Sequence, residues 1–144
     1  MLRGAVIGCG FFAINHLHGW RGAEGAEIVA ICDRSPERLK IAGEQFGIPA
    51  RYADAAEMLK RETLDFVDIA TTAPTHRALA ELVAAHGVAV ICQKPLAPTL
   101  GDAKAIVAAC ANAKVPLMVH ENFRWQSPIQ KVKAILDAGG IGDV

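Results

Sequence analysis

Two short stretches of this 144-residue sequence carry residue types suited to chemistry. Near the N-terminus the apolar run Ala5-Val6-Ile7 meets Gly8-Cys9-Gly10-Phe11-Phe12-Ala13. Later the apolar run Val88 to Cys92 gives out at Gln93-Lys94-Pro95, setting an ammonium group directly before a proline. The first stretch has the form Gly-x-Gly-x-x-Ala. At a strand-to-helix turn Gly8 permits the tight bend, Gly10 lets backbone approach a pyrophosphate, and the small Ala13 allows close helix-to-strand contact. Phe11 and Phe12 fill the two open positions of the turn and belong to the same candidate binding surface. The helix that follows offers unpaired N–H groups and the positive end of its dipole to phosphates.

Read alone, such a turn is equally an ordinary strand-to-helix connection. The second apolar run ends in Cys32-Asp33-Arg34, which places Asp33 20 residues after Ala13. An acidic side chain at that spacing accepts the two ribose hydroxyls of an adenosine half, so the turn and Asp33 together point to a dinucleotide. Asp33 repels a 2′-phosphate and favours NAD, whereas Arg34, able to stack on adenine or pair with that phosphate, leaves NADP possible.

Short apolar runs alternate along the chain with longer segments of helical periodicity, the pattern of repeated βα units on a parallel sheet. The strands expected are 3–7, 27–32, 51–52, 66–70, 88–92 and 117–120. The helices expected are 12–21, 36–46, 55–60, 75–86, 101–113 and 128–138. Ser35-Pro36 reads as an N-cap followed by proline at the first helical position, and Glu37 adds negative charge near the positive dipole end. Gly47, Gly87 and Gly139 each follow a helical run and fit left-handed C-terminal caps. The fold class is therefore α/β, a Rossmann-type doubly wound parallel sheet with helices on both faces. In such a sheet ligands sit beyond the carboxyl ends of the strands, which is where Lys94 falls. Pro95 biases Lys94 toward an extended backbone, and the isomer of the Lys94-Pro95 bond is left open by sequence.

Composition narrows the partners. Hydrophobic residues make up 52% and charged residues 21% of the chain, enough for one compact domain with a real core. Lys plus Arg equals Asp plus Glu at 15 each, so no overall field favours nucleic acid or an anionic membrane. The apolar runs are far shorter than the roughly 20 residues that cross a bilayer, and MLRGAVIGCG lacks the layout of a signal peptide, so a cytoplasmic protein is expected. Cys9, Cys32, Cys92 and Cys110 lack any Cys-x-x-Cys pairing, and three fall in or beside strand-like runs. They are expected as reduced, packed thiols rather than as disulfides or metal ligands.

Four stretches, in order, resemble the Gfo/Idh/MocA oxidoreductases, a family that includes glucose-fructose oxidoreductase and inositol dehydrogenases. They are VIGCGFFAINH, TTAPTH from Thr71 to His76, CQKPLA, and HENFRW from His120 to Trp125. The resemblance implies that Thr71, Thr72 and Pro74 line the cofactor from the end of the fourth strand, with His76 opening the next helix. It favours His16 as a packing or cofactor-side residue. It implies Lys94 as a catalytic group near the nicotinamide, hydrogen-bonding the substrate hydroxyl that loses its proton as hydride passes to C4. The family usually writes Glu-Lys-Pro where this chain has Gln93-Lys94-Pro95. Gln93 keeps a hydrogen-bonding side chain and removes a negative charge that would favour a neighbouring ammonium. Asn122, with His120, Glu121 and Arg124, lies where it meets nicotinamide or substrate, or else bridges to another domain.

Family members carry a second α/β domain with a histidine acid/base, often within Asp-x-x-x-His. Neither Asp-x-x-x-His nor His-x-x-x-His occurs here. Residues 1–122 are therefore expected to form an NAD(P)-binding domain, and 123–144 a connecting helix leading toward a substrate domain, with GGIGDV at its threshold. The expectation is the N-terminal half of a sugar, cyclitol or related polyol dehydrogenase, binding nicotinamide dinucleotide and inactive by itself. Two other readings stay open: a noncatalytic NAD(P)-binding or redox-sensing module, and a subunit whose site is completed by a partner chain. An uncovered face would also favour a homo-oligomer.

Overall fold

The computed structural model describes residues 1–142. Six strands are joined by helices in strict alternation: β1 (Leu2–Ile7), α1 (Ala13–Arg21), β2 (Ala26–Cys32), α2 (Pro36–Phe46), β3 (Ala50–Tyr52), α3 (Ala55–Arg61), β4 (Phe66–Ile69), α4 (Ala73–Ala85), β5 (Ala89–Gln93), α5 (Leu100–Ala113) and β6 (Leu117–His120). A short 3-10 turn, Phe123–Trp125, and α6 (Ser127–Asp137) follow. Every strand pairing is parallel. The sheet order is β3-β2-β1-β4-β5-β6, so the winding reverses between β1 and β4 and opens a crevice beyond their carboxyl ends. The expected Rossmann-type sheet is the fold of this chain.

Side-chain alternation divides the core between the two faces of the sheet. Val6 and Ile31 point to one face, where Ala13 and Leu17 of α1 and Leu39 and Ala42 of α2 cover them. Ala5, Val67, Ile69, Val90 and Cys92 point to the other and meet Met58, Val83 and Ile106 from α3, α4 and α5. Burial of each such Leu, Ile or Val stabilises by about 1.5–3 kcal/mol, which is why the strands read as nearly unbroken apolar runs.

Local signals set the helix ends. Ser35 Oγ accepts from the Arg38 amide at 3.3 Å, with Pro36 at the start of α2. Asp54 and Thr99 cap α3 and α5 in the same way. Gly47, Gly87 and Gly139 adopt φ of 69°, 73° and 70°. The sequence-based element bounds shift mostly by a residue or two. The largest shift is at α4, which begins at Ala73 because Thr72 takes the cap position and Pro74 fits the first turn.

All of α6 is exposed, including Ile129, Val132 and Ile135. The GGIGDV segment falls partly outside the described residues. Among the described residues no helix is long and apolar enough to cross a membrane.

Candidate functional site

The crevice at the switch point is a cavity of about 720 Å³. The glycine turn lines it. Gly8 has φ +98°, and a Cβ there would stand 2.9 Å from Thr71 Cγ2 and 3.0 Å from the Ala70 carbonyl. Glycine is thus required at position 8 both by the turn and by the close approach of the loop after β4. Gly10 differs. Its φ is not in the left-handed region, and a Cβ there would meet nothing within 4 Å. Neither backbone strain nor packing within the chain calls for glycine at position 10.

Asp33, at the end of β2, is held in place by two backbone donors. Its Oδ2 accepts from the Cys9 amide at 2.7 Å and its Oδ1 from the Ser35 amide at 2.8 Å. Each oxygen keeps a further lone pair for a ligand hydroxyl. Arg34 and Arg38 line the same end of the cavity.

The cavity brings together most of the residues singled out in the sequence: Gly8, Gly10, Phe11, Phe12, Asp33, Arg34, Thr71, Thr72 and Pro74 all line it. Phe11 is 93% exposed at its rim. Ala13 lies beneath the turn, fully buried where α1 meets the sheet. Thr71 is tied to the first turn of α4 by the Thr75 hydroxyl, 2.8 Å from its own. Sequence reasoning missed Arg38 and the α4 residues Ala78, Leu79 and Leu82. The signal was present in their spacing: 74, 75, 78, 79 and 82 fall on one side of a helix, so a proline and threonine that line the cavity bring the apolar residues of the same face to it.

His76, Gln93, Lys94 and Asn122 lie outside the cavity lining. His76 is buried in the first turn of α4. Its Nε2 is 3.1 Å from the Thr71 carbonyl and its Nδ1 3.2 Å from the Leu96 carbonyl, so the ring is wedged between the loop after β4 and the loop after β5, with a neutral imidazole donating to one of the two. Lys94 follows β5 directly, its peptide bond to Pro95 is cis, and its Nζ sits 5.1 Å from the centre of the Phe123 ring. Such a cation–π contact, worth about 0.5–1 kcal/mol at an exposed site, biases the direction of a flexible side chain. Asn122 is half-buried before the 3-10 turn, with Oδ1 unpartnered among the described residues.

Beside Lys94 runs a polar seam under α1. Asp68 on β4, Gln93 on β5 and His120 on β6 share one face of the sheet, and Gln93 and His120 are register partners. From α1, Trp20 Nε1 donates to Asp68 Oδ2 at 2.8 Å, and His16 Nδ1 lies 2.8 Å from the same oxygen. Gln93 Nε2 is 2.9 Å from His16 Nε2, and Gln93 Oε1 accepts the Lys94 amide at 2.6 Å. The Gln93 side chain thus contacts a buried histidine and the Lys94 backbone. His120 packs its ring 4.3 Å from that of His16. Burial pulls the His120 pKa below the usual histidine range and favours its neutral form. His16, Asp68 and His120 bring three ligand-type atoms within 4.8 Å.

The cysteines all pack as buried thiols. Cys9, Cys32 and Cys92 have their pKa pushed up to about 12, chiefly by burial.

Comparison with known proteins places this architecture. Residues 2–121 match the family model described as an oxidoreductase family with an NAD-binding Rossmann fold. The chain belongs to the Gfo/Idh/MocA oxidoreductase family. It is 62% identical over 142 residues to a D-apiose dehydrogenase of Rhizobium rhizogenes, covering 99% of this chain and 41% of that protein. A D-apiose dehydrogenase of Paraburkholderia graminis is 66% identical over 140 residues, covering 97% of this chain and 37% of its own length. A crystal structure of an oxidoreductase from Agrobacterium radiobacter, in complex with NAD+, L-tartaric acid and magnesium, superposes with a TM-score of 0.96 at 62% identity. That match covers 99% of this chain and 42% of that one. The chain therefore spans about two fifths of the length of these relatives.

Proposed function

We propose that this chain is the cofactor-binding part of an NAD-dependent dehydrogenase acting on a hydroxyl of a sugar, cyclitol or related polyol. Among these, a sugar of the D-apiose type has the strongest support, because two D-apiose dehydrogenases share 62% and 66% identity with almost the whole chain. The observation that carries the cofactor reading is Gly10. A glycine with neither backbone nor packing reason to be one, lining the crevice, leaves room for the pyrophosphate of a bound dinucleotide.

In this reading the helix α1 N-terminus and the turn amides hold the pyrophosphate. Asp33 accepts the two ribose hydroxyls, and its charge disfavours a 2′-phosphate, while Arg34 and Arg38 flank the same position. Thr71, Thr72 and Pro74 form the opposite wall, toward the nicotinamide end. Bound NAD supplies the hydride acceptor. Lys94, projecting beyond β5 over Phe123, holds the substrate hydroxyl by a hydrogen bond and stabilises its oxygen as the proton leaves. Asn122, at the next strand end, borders the same space.

These residues hold no Asp-x-x-x-His, so a histidine acid/base of the kind the family uses comes from elsewhere. Positioning of substrate in line with the nicotinamide is worth up to about 7–11 kcal/mol of barrier, so the 144 residues alone bind cofactor and turn over poorly. Isothermal titration of the folded chain with NADH and with NADPH tests the proposal. Saturable heat with NADH, weaker with NADPH, is expected; no heat from either would overturn it.

A further inference from the structure

The hydrogen-bond partners along the seam from Trp20 to Lys94 constrain where the proton of His16 sits. Its two ends are groups that can only donate: the indole N–H of Trp20 and the backbone N–H of Lys94. At the Lys94 end, the amide at 2.6 Å obliges the facing atom of Gln93 to be the oxygen, which turns the NH₂ group toward His16 Nε2 at 2.9 Å. That nitrogen must therefore present a lone pair. At the other end the Asp68 carboxylate, which already receives Trp20, receives His16 Nδ1 as a second donor. The two constraints were set independently and agree on the same histidine: neutral, with its proton on Nδ1. A protonated His16 would set N–H against N–H at Gln93.

We infer that Gln93 selects the proton state of His16, and that Asp68, His16 and Gln93 together act as positioning residues for the Lys94 backbone. All three are buried, at 0%, 4% and 7% exposure, so water does not compete for these bonds. The groups that face His16 from each packed element are Asp68 on β4, Gln93 on β5 and His120 on β6, with the ring of Phe12 edge-on at 5.5 Å from the turn before α1. None besides Asp68 is a carboxylate.

Exchanging Gln93 for glutamate reverses the demand. One carboxylate oxygen still accepts the Lys94 amide, and the other then faces the His16 lone pair, acceptor against acceptor. Uptake of one proton resolves the conflict, and the imidazole, the more basic of the two groups, takes it at His16 Nε2. It also conserves charge. Asp68 with neutral His16 and Gln93 totals one negative charge, and two carboxylates around an imidazolium total the same. Without that proton the buried cluster would carry two negative charges, an arrangement the interior penalises heavily. The difference between Gln and Glu at position 93 is therefore one proton on His16, rather than one charge felt by the Lys94 ammonium.

Side-chain nitrogen NMR on the 144-residue protein at neutral pH tests this directly. The expected wild-type spectrum shows His16 with a protonated Nδ1 and a lone-pair Nε2, and Gln93→Glu shows both His16 nitrogens protonated. A wild-type imidazolium or Nε2–H tautomer would overturn the inference, as would a Gln93→Glu spectrum in which His16 stays neutral. Should Gln93→Glu not fold, Gln93→Met supplies the second arm. It removes both polar atoms at similar volume, and hydrogen exchange at the Lys94 amide is expected to rise tenfold or more; an unchanged rate counts against the positioning role. The proposed dehydrogenase role gives the seam its use, but these readouts need no nucleotide, so their failure and a failure of cofactor binding are separately visible.

Discussion

Asp33 and Cys9 join the end of the second strand to the glycine turn that follows the first. The Asp33 carboxylate accepts the Cys9 amide at 2.7 Å, inside the segment Gly8-Cys9-Gly10. One side chain thus has two tasks, shaping the turn and presenting lone pairs toward a ribose. Glutamate would be too long to reach both amides without displacing the turn, and asparagine has one acceptor atom for the two amides.

Asp33→Asn separates those tasks. The asparagine oxygen can serve either the Cys9 or the Ser35 amide, leaving the other facing an NH₂ group, so stability falls by about 1 kcal/mol. Loss of the charge-assisted bonds to ribose weakens NADH by about tenfold or more, equivalent to about 1.4 kcal/mol. NADPH loses less, because the repulsion of its 2′-phosphate is relieved. Calorimetry with the two nucleotides, beside a thermal melt, measures all three effects. An unchanged NADH-to-NADPH ratio would remove Asp33 from the discrimination.

The two glycines of the turn make opposite predictions. Gly8→Ala forces a side chain into φ +98° and against Thr71 and Ala70, and it destabilises the fold by about 1–2 kcal/mol or more. Gly10→Ala adds a methyl group to open space and should melt within a degree or two of the parent. It occupies the volume assigned to the pyrophosphate, so NADH affinity is expected to drop at least tenfold. A Gly10→Ala protein with full affinity would disprove the proposed approach of the phosphates.

The sheet and its switch point were legible because they rest on short-range patterns. Apolar runs of strand length, Ser35-Pro36 and the glycine turn each act within a few residues. The ribose carboxylate was legible because its spacing from the turn is set by one βαβ unit. Other features have no local signature. Lys114 closes α5 with φ +57°, where a glycine would be the expected sign. His76 offers a helix-start position in the sequence, yet its two ring nitrogens face carbonyls from two different loops. Gln93 reads as the neighbour of Lys94, and its side chain engages His16, 77 residues away in sequence. Buried polar contacts depend on which faces of α1, β4 and β5 meet, and that is a property of the assembled sheet.

The thiols give a prediction in pH. Cys9, Cys32 and Cys92 are held protonated with pKa pushed up to about 12, first by burial and, for Cys9, next by the negative charge of Asp33. In the unfolded chain they ionise near 9.0, the ordinary value for a thiol. Because the folded pKa lies above the unfolded one, their contribution to stability is complete below pH 9 and is lost progressively as pH rises through the interval up to about 12. The urea midpoint should therefore be insensitive to these groups from pH 7 to 8.5 and fall between pH 9 and 11. Substituting Cys92 by alanine, at a position fully buried between β4 and α5 neighbours, should flatten that fall even as it lowers the midpoint overall. In the native protein at pH 8 a thiol reagent should find almost no thiolate at these three sites, and labelling should appear only with denaturation. Rapid labelling of Cys9, Cys32 or Cys92 without unfolding would mean that the packing of the sheet against its helices is looser than the burial of these side chains requires.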